Sequence, residues 1–127
     1  MRALRDVLDN DTDCGDVLQL VDGCNGFDCE IYQTLVERNE RLSIDEITDA
    51  VDRDRSATYR AVSRLHDFGY LDREQETYDS GGYCYRYKAV APETVGVALK
   101  AKITECHADF EGLIDDFVNT YGSQHDR

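Results

Sequence analysis

Ser43-Ile-Asp-Glu-Ile-Thr-Asp-Ala-Val-Asp-Arg-Asp-Arg-Ser-Ala-Thr-Tyr-Arg-Ala-Val-Ser-Arg-Leu65 is the stretch that decides the fold. Ser43 and Glu46 stand three apart ahead of an apolar run. At that spacing each side chain bonds the other residue's unpaired backbone N–H and starts a helix. Ile44, Ile47 and Val51 then share one helical face. Asp52-Arg-Asp54 interrupts the stripe as a polar turn. A further helix runs to about Asp67, with Thr58, Ala61, Val62 and Leu65 on its inner face. Phe68-Gly69 closes it, glycine supplying a left-handed exit.

Downstream, Tyr70 to Glu74 begins a strand, Asp79-Ser-Gly-Gly82 is a turn cluster, and Tyr83-Cys-Tyr-Arg-Tyr-Lys88 alternates with period two. The two strands make a hairpin. Upstream, Asp28 reads as the N-cap of a helix in which Ile31, Tyr32, Leu35 and Val36 share a face. Arg41-Leu-Ser43 is a short link. Val17 to Val21 is an apolar patch of one or two helical turns, ended by Gly23 and Gly26 around Cys24-Asn25. Asp9-Asn-Asp-Thr-Asp-Cys-Gly-Asp16 makes the first 16 residues an acidic segment, expected to be mobile at its start.

Helix, helix, tight turn, helix, hairpin is the order of a winged helix-turn-helix. The expected class is mostly α with a small β-hairpin wing (α+β). Residues 1–26 are read as an acidic segment with a short helix, 27–91 as the winged domain, and 92–127 as an appended helix. Pro92 opens that helix at a position that tolerates proline. From Leu99 the apolar positions continue through Ile103, Cys106, Phe110, Leu113 and Phe117, a 4-3-4-3-4 spacing that makes a heptad seam. Ile114, Val118 and Tyr121 widen it. A homodimer-forming helix is preferred over one folded back on its own domain.

At 127 residues the chain suits one domain plus that helix. No apolar run approaches the roughly 18–20 residues that span a bilayer, and the start lacks the apolar stretch of a signal peptide. The expectation is a cytoplasmic protein with no membrane partner. The formal net charge of −13 argues by itself against nucleic acid. Its make-up softens that objection. Acids divide into 18 Asp and 9 Glu, bases into 11 Arg and 3 Lys, an Asp-rich and Lys-poor balance. Such a surface suits molar salt, where screening acts within about 3 Å; an ordinary acidic protein stays possible.

Setting the third helix's core face inward turns Ser56, Arg60 and Ser63 outward. Arg55, Tyr59 and Arg64 flank them, and Arg53 stands in the turn. Asp52–Leu65 holds four Arg against two Asp, a local +2. Arginine can take the paired acceptors of guanine or bridge phosphates, hydroxyls hold phosphate oxygens, and free helix N–H groups near Ser56 offer another phosphate contact. In the wing, Arg86 and Lys88 share one strand face and Tyr83, Tyr85 and Tyr87 the other. Basic contact on one side and packing on the other are expected. The partner expected is double-stranded DNA; the alternative is a winged-helix module that docks protein within a transcription complex.

The five cysteines include no Cys-x-x-Cys. Cys106 lies on the seam. Cys29 is in a first helical turn, where the dipole lowers a thiol pKa, although burial is favoured for it. Cys84 shares the basic strand face, and Cys14 lies among acids. Cys24, between two glycines and outside any apolar period, is expected to be accessible, and accessible thiols oxidise or exchange. Residues alone leave open whether it is a redox thiol or an inert surface cysteine. Cys24, Cys29, His66, His107 and Cys84 fit no standard metal spacing. No catalytic constellation stands out, and no cofactor is expected.

Ile44-Asp-Glu-Ile47, Asp52-Arg-Asp-Arg-Ser-Ala-Thr-Tyr-Arg-Ala-Val-Ser-Arg-Leu65 and Gly81-Gly-Tyr-Cys-Tyr-Arg-Tyr87 together resemble the TrmB-type winged-helix regulators of haloarchaea. The resemblance runs from about Gly26 to Val90. It implies a homodimeric transcription regulator acting on palindromic promoter sites in a high-salt cytosol. The family's longer members carry a sugar-sensing domain for which these residues leave no room. The chain also resembles the thiol-based, oxidant-responsive subgroup, which implies Cys24 as the redox residue and an intersubunit disulfide as one outcome. Phosphate-driven affinity falls by about 0.9 log units per log of salt for each neutralised phosphate. In molar salt, base contacts and shape must therefore supply more.

Overall fold

The structure, a computed structural model, describes residues 4–7 and 12–122. Residues 9–11 of the acidic segment and the last residues after Gly122 lie outside them. Helix α1 (Leu4–Val7) is one turn. Asp13 caps a 3-10 turn at Cys14–Asp16, which leads into α2 (Val17–Asp22). Then follow α3 (Gly26–Arg38), β1 (Leu42–Ser43), α4 (Ile44–Val51), α5 (Arg55–Asp67), β2 (Leu71–Thr77), β3 (Tyr83–Ala89) and α6 (Pro92–Gly122). One compact unit ends at Val95 and a second begins at Gly96.

The capping box at the head of α4 forms as expected. Ser43 N–H donates to Glu46 Oε1 at 3.1 Å, and Glu46 N–H to Ser43 Oγ at 3.2 Å. α4 ends on Asp52 in a left-handed conformation, φ 54°, and Asp54 caps α5 two residues later. The turn between the helices is tight because two aspartates serve it, one as exit and one as entry. Ile31 and Leu35 of α3, Ile47 of α4 and Ala61, Val62 and Leu65 of α5 are wholly buried. Each fully buried Ile, Leu or Val side chain contributes about 1.5–3 kcal/mol.

Two expectations change. α3 starts two residues before Asp28, because Asn25 is its N-cap and Asp28 is the third helical residue of a second capping box. Asp28 N–H donates to Asn25 Oδ1 at 2.8 Å, and Asn25 N–H donates to Asp28 Oδ2 at 3.3 Å. The link Arg41-Leu-Ser43 contains a strand. Leu42 pairs with Tyr87 and Ser43 with Arg86, so the sheet has three antiparallel strands in the order β1-β3-β2. The hairpin register runs from Leu71 opposite Ala89 to Thr77 opposite Tyr83. Gly81 and Gly82, at φ 90° and 83°, make its tip.

α6 is 31 residues long, roughly 46 Å at 1.5 Å per residue. Val95 is its one buried residue. Ile103, Phe110, Leu113, Ile114, Phe117, Val118 and Tyr121 are each more than half exposed. At about 100° per residue they fall within an arc of roughly 140°, with Glu105, Asp109, Asp115 and Asp116 on the other side. Leu99 is half-buried and Cys106 exposed.

Candidate nucleic-acid interface

Along α5, Ser56, Tyr59 and Arg60 are exposed and Ser63 is half-buried. The other arginines around them are engaged. Arg53 lies over the Phe27 ring, 4.3 Å from its centroid. Arg55 Nε donates to Asp45 Oδ1 at 2.8 Å. Arg64 reaches back to α3, Nε to Asp28 Oδ2 at 3.0 Å and Nη2 to Asp28 Oδ1 at 2.7 Å. Arg60 makes no ion pair among the described residues. The local +2 therefore narrows to one unencumbered guanidinium on the outer face of α5.

Arg64 is the clearest change from the expected contact set. Its partner Asp28 is 1% exposed, and a buried carboxylate is tolerated only when paired and hydrogen-bonded. Arg64 supplies a bidentate fork, and its hydrogen bond to Asp28 raises its own pKa further. Its charge is thus committed to holding α5 against α3. The N-terminus of α5 is also partly occupied, since Asp54 Oδ1 accepts the Ala57 N–H at 2.6 Å.

The wing is not the basic strip expected. Arg86 and Lys88 do share a strand face, but Glu74 stands opposite Arg86 and Asp72 opposite Lys88. Arg86 pairs with Glu46 at 2.7 Å and with Glu76. The Ser43 N–H, with Arg86 beyond it, holds the Glu46 carboxyl below the usual range. Arg41 bridges Asp72 at 2.8 Å and Glu74 at 2.9 Å, and its hydrogen bond lowers the Asp72 pKa. Lys88 is half-buried and unpaired among the described residues. The opposite, aromatic face packs only in part. Tyr87 is buried edge-on to His66, Tyr85 lies under Arg73 at 4.1 Å, and Tyr83 is 58% exposed.

Cys24 is not accessible, contrary to expectation. It is 1% exposed. Burial, with Asp28 next, pushes its thiol up to about 11. The glycines around it open the backbone of the α2–α3 junction without opening the side chain, which sits beside the Asp28–Arg64 pair. Cys29 is half-buried, and burial, with Asp28 and Asp16 next, raises its pKa rather than lowering it. Cys84 Sγ accepts the Tyr78 hydroxyl at 2.8 Å. Cys14 and Cys106 are exposed.

Comparison with known proteins adds a family. Residues 18–93, more than half of the chain, match the model of the sugar-specific transcriptional regulator TrmB. This chain belongs to the TrmB family of transcription regulators. It is similar to two uncharacterized proteins of Methanocaldococcus jannaschii, MJ1503 and MJ1082. The first is 30% identical over 80% of this chain and 83% of that protein, the second 33% identical over the same shares. Among solved structures, a possible transcriptional regulator from Methanosarcina mazei Go1 superposes with a TM-score of 0.72. Identity there is 20%, over 80% of this chain and 85% of that one. The ST1889 protein of Sulfolobus tokodaii gives 0.60 at 14% identity, over 74% and 91%. These share the winged-helix fold.

One further feature of this TrmB-family chain is legible in the sequence and another is not. Asn25-x-x-Asp28 has the capping-box spacing of Ser43-x-x-Glu46, and it marks the true start of α3. Arg41 had no local signal, because its partners lie 31 and 33 residues away in the wing. No helix among the described residues is long and apolar enough to cross a membrane.

Proposed function

We propose that this TrmB-family chain is a homodimeric, sequence-specific regulator of promoter DNA, with residues 27–91 as the reading domain and 92–127 as the dimerisation helix. The observation that carries it is Arg60. It stands free on the outer face of α5 while Arg53, Arg55 and Arg64 are held by neighbours. An arginine with no internal partner on the second helix of a helix-turn-helix can take the O6 and N7 acceptors of guanine in the major groove. Ser56, Tyr59 and Ser63 on the same face serve backbone or base contacts, and Lys88 a phosphate.

The homodimer rests on α6. Seven large apolar side chains exposed along one 140° arc form a patch that monomers rarely leave in water. Leu99, Ile103, Cys106, Phe110, Leu113 and Phe117 supply the seam, and a two-fold dimer implies a palindromic operator. The Asp-rich, Lys-poor surface supports a high-salt setting such as the haloarchaeal cytosol.

Redox control through Cys24 rests on position rather than on access. The thiol lies beside the pair that ties α5 to α3. Hypochlorite would convert the thiol to a sulfenic acid and be reduced to chloride; a second Cys24 thiol would then displace water to give an intersubunit disulfide. Burial sets a condition, that the α2–α3 junction opens first.

Genomic occupancy mapping, with and without hypochlorite, tests these readings together. Arg60→Ala should weaken the recovered operator by about 1–3 kcal/mol, roughly 5- to 150-fold in Kd. Operator binding unchanged by Arg60→Ala, with loss of a protein partner instead, would favour the docking-module alternative. A Cys24→Ser protein whose occupancy still answers hypochlorite normally removes Cys24 as the switch.

A further inference from the structure

The wing and α5 leave a cleft between them. β1 covers β3 only at Arg86 and Tyr87, so the edge of β3 from Tyr83 to Tyr85 stays open. The first residues of α4 and the first turns of α5 face that edge across a space of about 300 Å³, lined among others by Arg55, Tyr59, Tyr78, Tyr83, Tyr85 and Arg86. Tyr59, Tyr78 and Tyr83 are 53%, 45% and 58% exposed. The hydroxyls of Tyr59, Tyr83 and Tyr85 bond to no protein group among the described residues. Both arginines are already matched by carboxylates, Arg55 by Asp45 and Arg86 by Glu46 and Glu76. The free donors of this cleft are therefore neutral.

We propose that the cleft seats a segment of the DNA sugar-phosphate backbone, held by the hydroxyls of Tyr59, Tyr83 and Tyr85 more than by charge. The inference rests on the DNA-binding reading and extends it from Tyr59 to Tyr83 and Tyr85, which the packing role had claimed. Position supports it. Tyr59 adjoins Arg60, so a strand whose bases meet Arg60 passes its phosphates along the same turn of α5. Chemistry supports it too, because tyrosine hydroxyls are ordinary donors to phosphate oxygens. Electrostatics explains the choice. A neutral donor releases no counterion, so its contribution survives in salt that erases most of an arginine–phosphate contact. The rings are pre-set, Tyr83 edge-on to Tyr85 at 5.5 Å and Tyr85 under Arg73, which lowers the ordering cost on binding. A small ligand suits the space less, because Tyr59, Tyr78 and Tyr83 on its walls stay about half exposed, whereas ligand pockets enclose most of their guest.

The test uses the full chain and a duplex that the wild type selects from a randomised library, with affinities measured across a series of KCl concentrations. Tyr59→Phe, Tyr83→Phe and Tyr85→Phe, which keep the ring, should each weaken binding roughly 3- to 10-fold. The slope of log affinity against log salt should not change. On duplexes carrying one neutral methylphosphonate at successive positions, the wild type should lose affinity at one flanking position, and the tyrosine variants should lose nothing further there. Phenylalanine variants that bind like the wild type at every salt overturn the proposal. So does a loss that is equal on every methylphosphonate duplex. If the wild type selects a sequence in those cases, the cleft alone falls; if it selects none, the DNA reading falls and the cleft with it.

Discussion

Removing either end of the Asp28–Arg64 pair should cost very different amounts. Asp28 is 1% exposed, whereas the Arg64 side chain is 43% exposed. Arg64→Ala leaves a buried carboxylate whose remaining donor is the Asn25 N–H at 3.3 Å. An orphaned charge in a buried pair costs about 3–5 kcal/mol, so about 3 kcal/mol is expected at a site with one solvent-facing side. Asp28→Asn leaves the arginine free to turn into water and keeps an acceptor for the Asn25 N–H. The loss is then the charge-assisted part of the bond, about 1–1.5 kcal/mol. The double variant should be more stable than Arg64→Ala alone, because its buried site no longer holds a charge. Urea denaturation at one protein concentration and one KCl concentration measures all four proteins, with concentration held because an associating chain gains stability by mass action. Arg64→Ala costing no more than Asp28→Asn, or strictly additive losses in the double variant, would refute this reasoning.

Four other outcomes are expected. Phe110→Glu or Leu113→Glu, each placing charge in the exposed apolar arc of α6, should give a monomer in sedimentation while the far-ultraviolet spectrum of the winged domain persists; dimers that survive both changes count against α6 as the interface. The Cys24 thiol, raised from its ordinary 9.0 to about 11, keeps its proton in the folded chain at pH values where the unfolded chain has lost it. Its contribution to stability is full below pH 9 and lost as pH rises towards 11, and Cys24→Ala should flatten that part of the stability–pH curve. For the same reason iodoacetamide at pH 8 should label the exposed Cys14 well before Cys24, as read by mass spectrometry. Gly81→Ala with Gly82→Ala places two side chains at φ 90° and 83° and should lower stability by about 2 kcal/mol or more in total, read as a lower urea midpoint.

What this sequence determines by itself is what acts over a few residues. The Ser43–Glu46 box, the stripe of Ile44, Ile47 and Val51, the Asp52–Asp54 turn and the alternation from Tyr83 to Lys88 specify helix, turn, helix and hairpin through backbone bonding and period. The seam of α6 is legible for the same reason. The proposed DNA-facing surface is legible only as a set of residue types. Which arginines are free was decided by tertiary structure, since Arg55 finds Asp45 ten residues away, Arg64 finds Asp28 across 36 and Arg86 finds Glu46 across 40. Charge pairing acts through space and leaves no periodic trace in the chain. The same holds for Cys24. Its flanking glycines suggest an open loop, and the packing of α2 and α3 closes it.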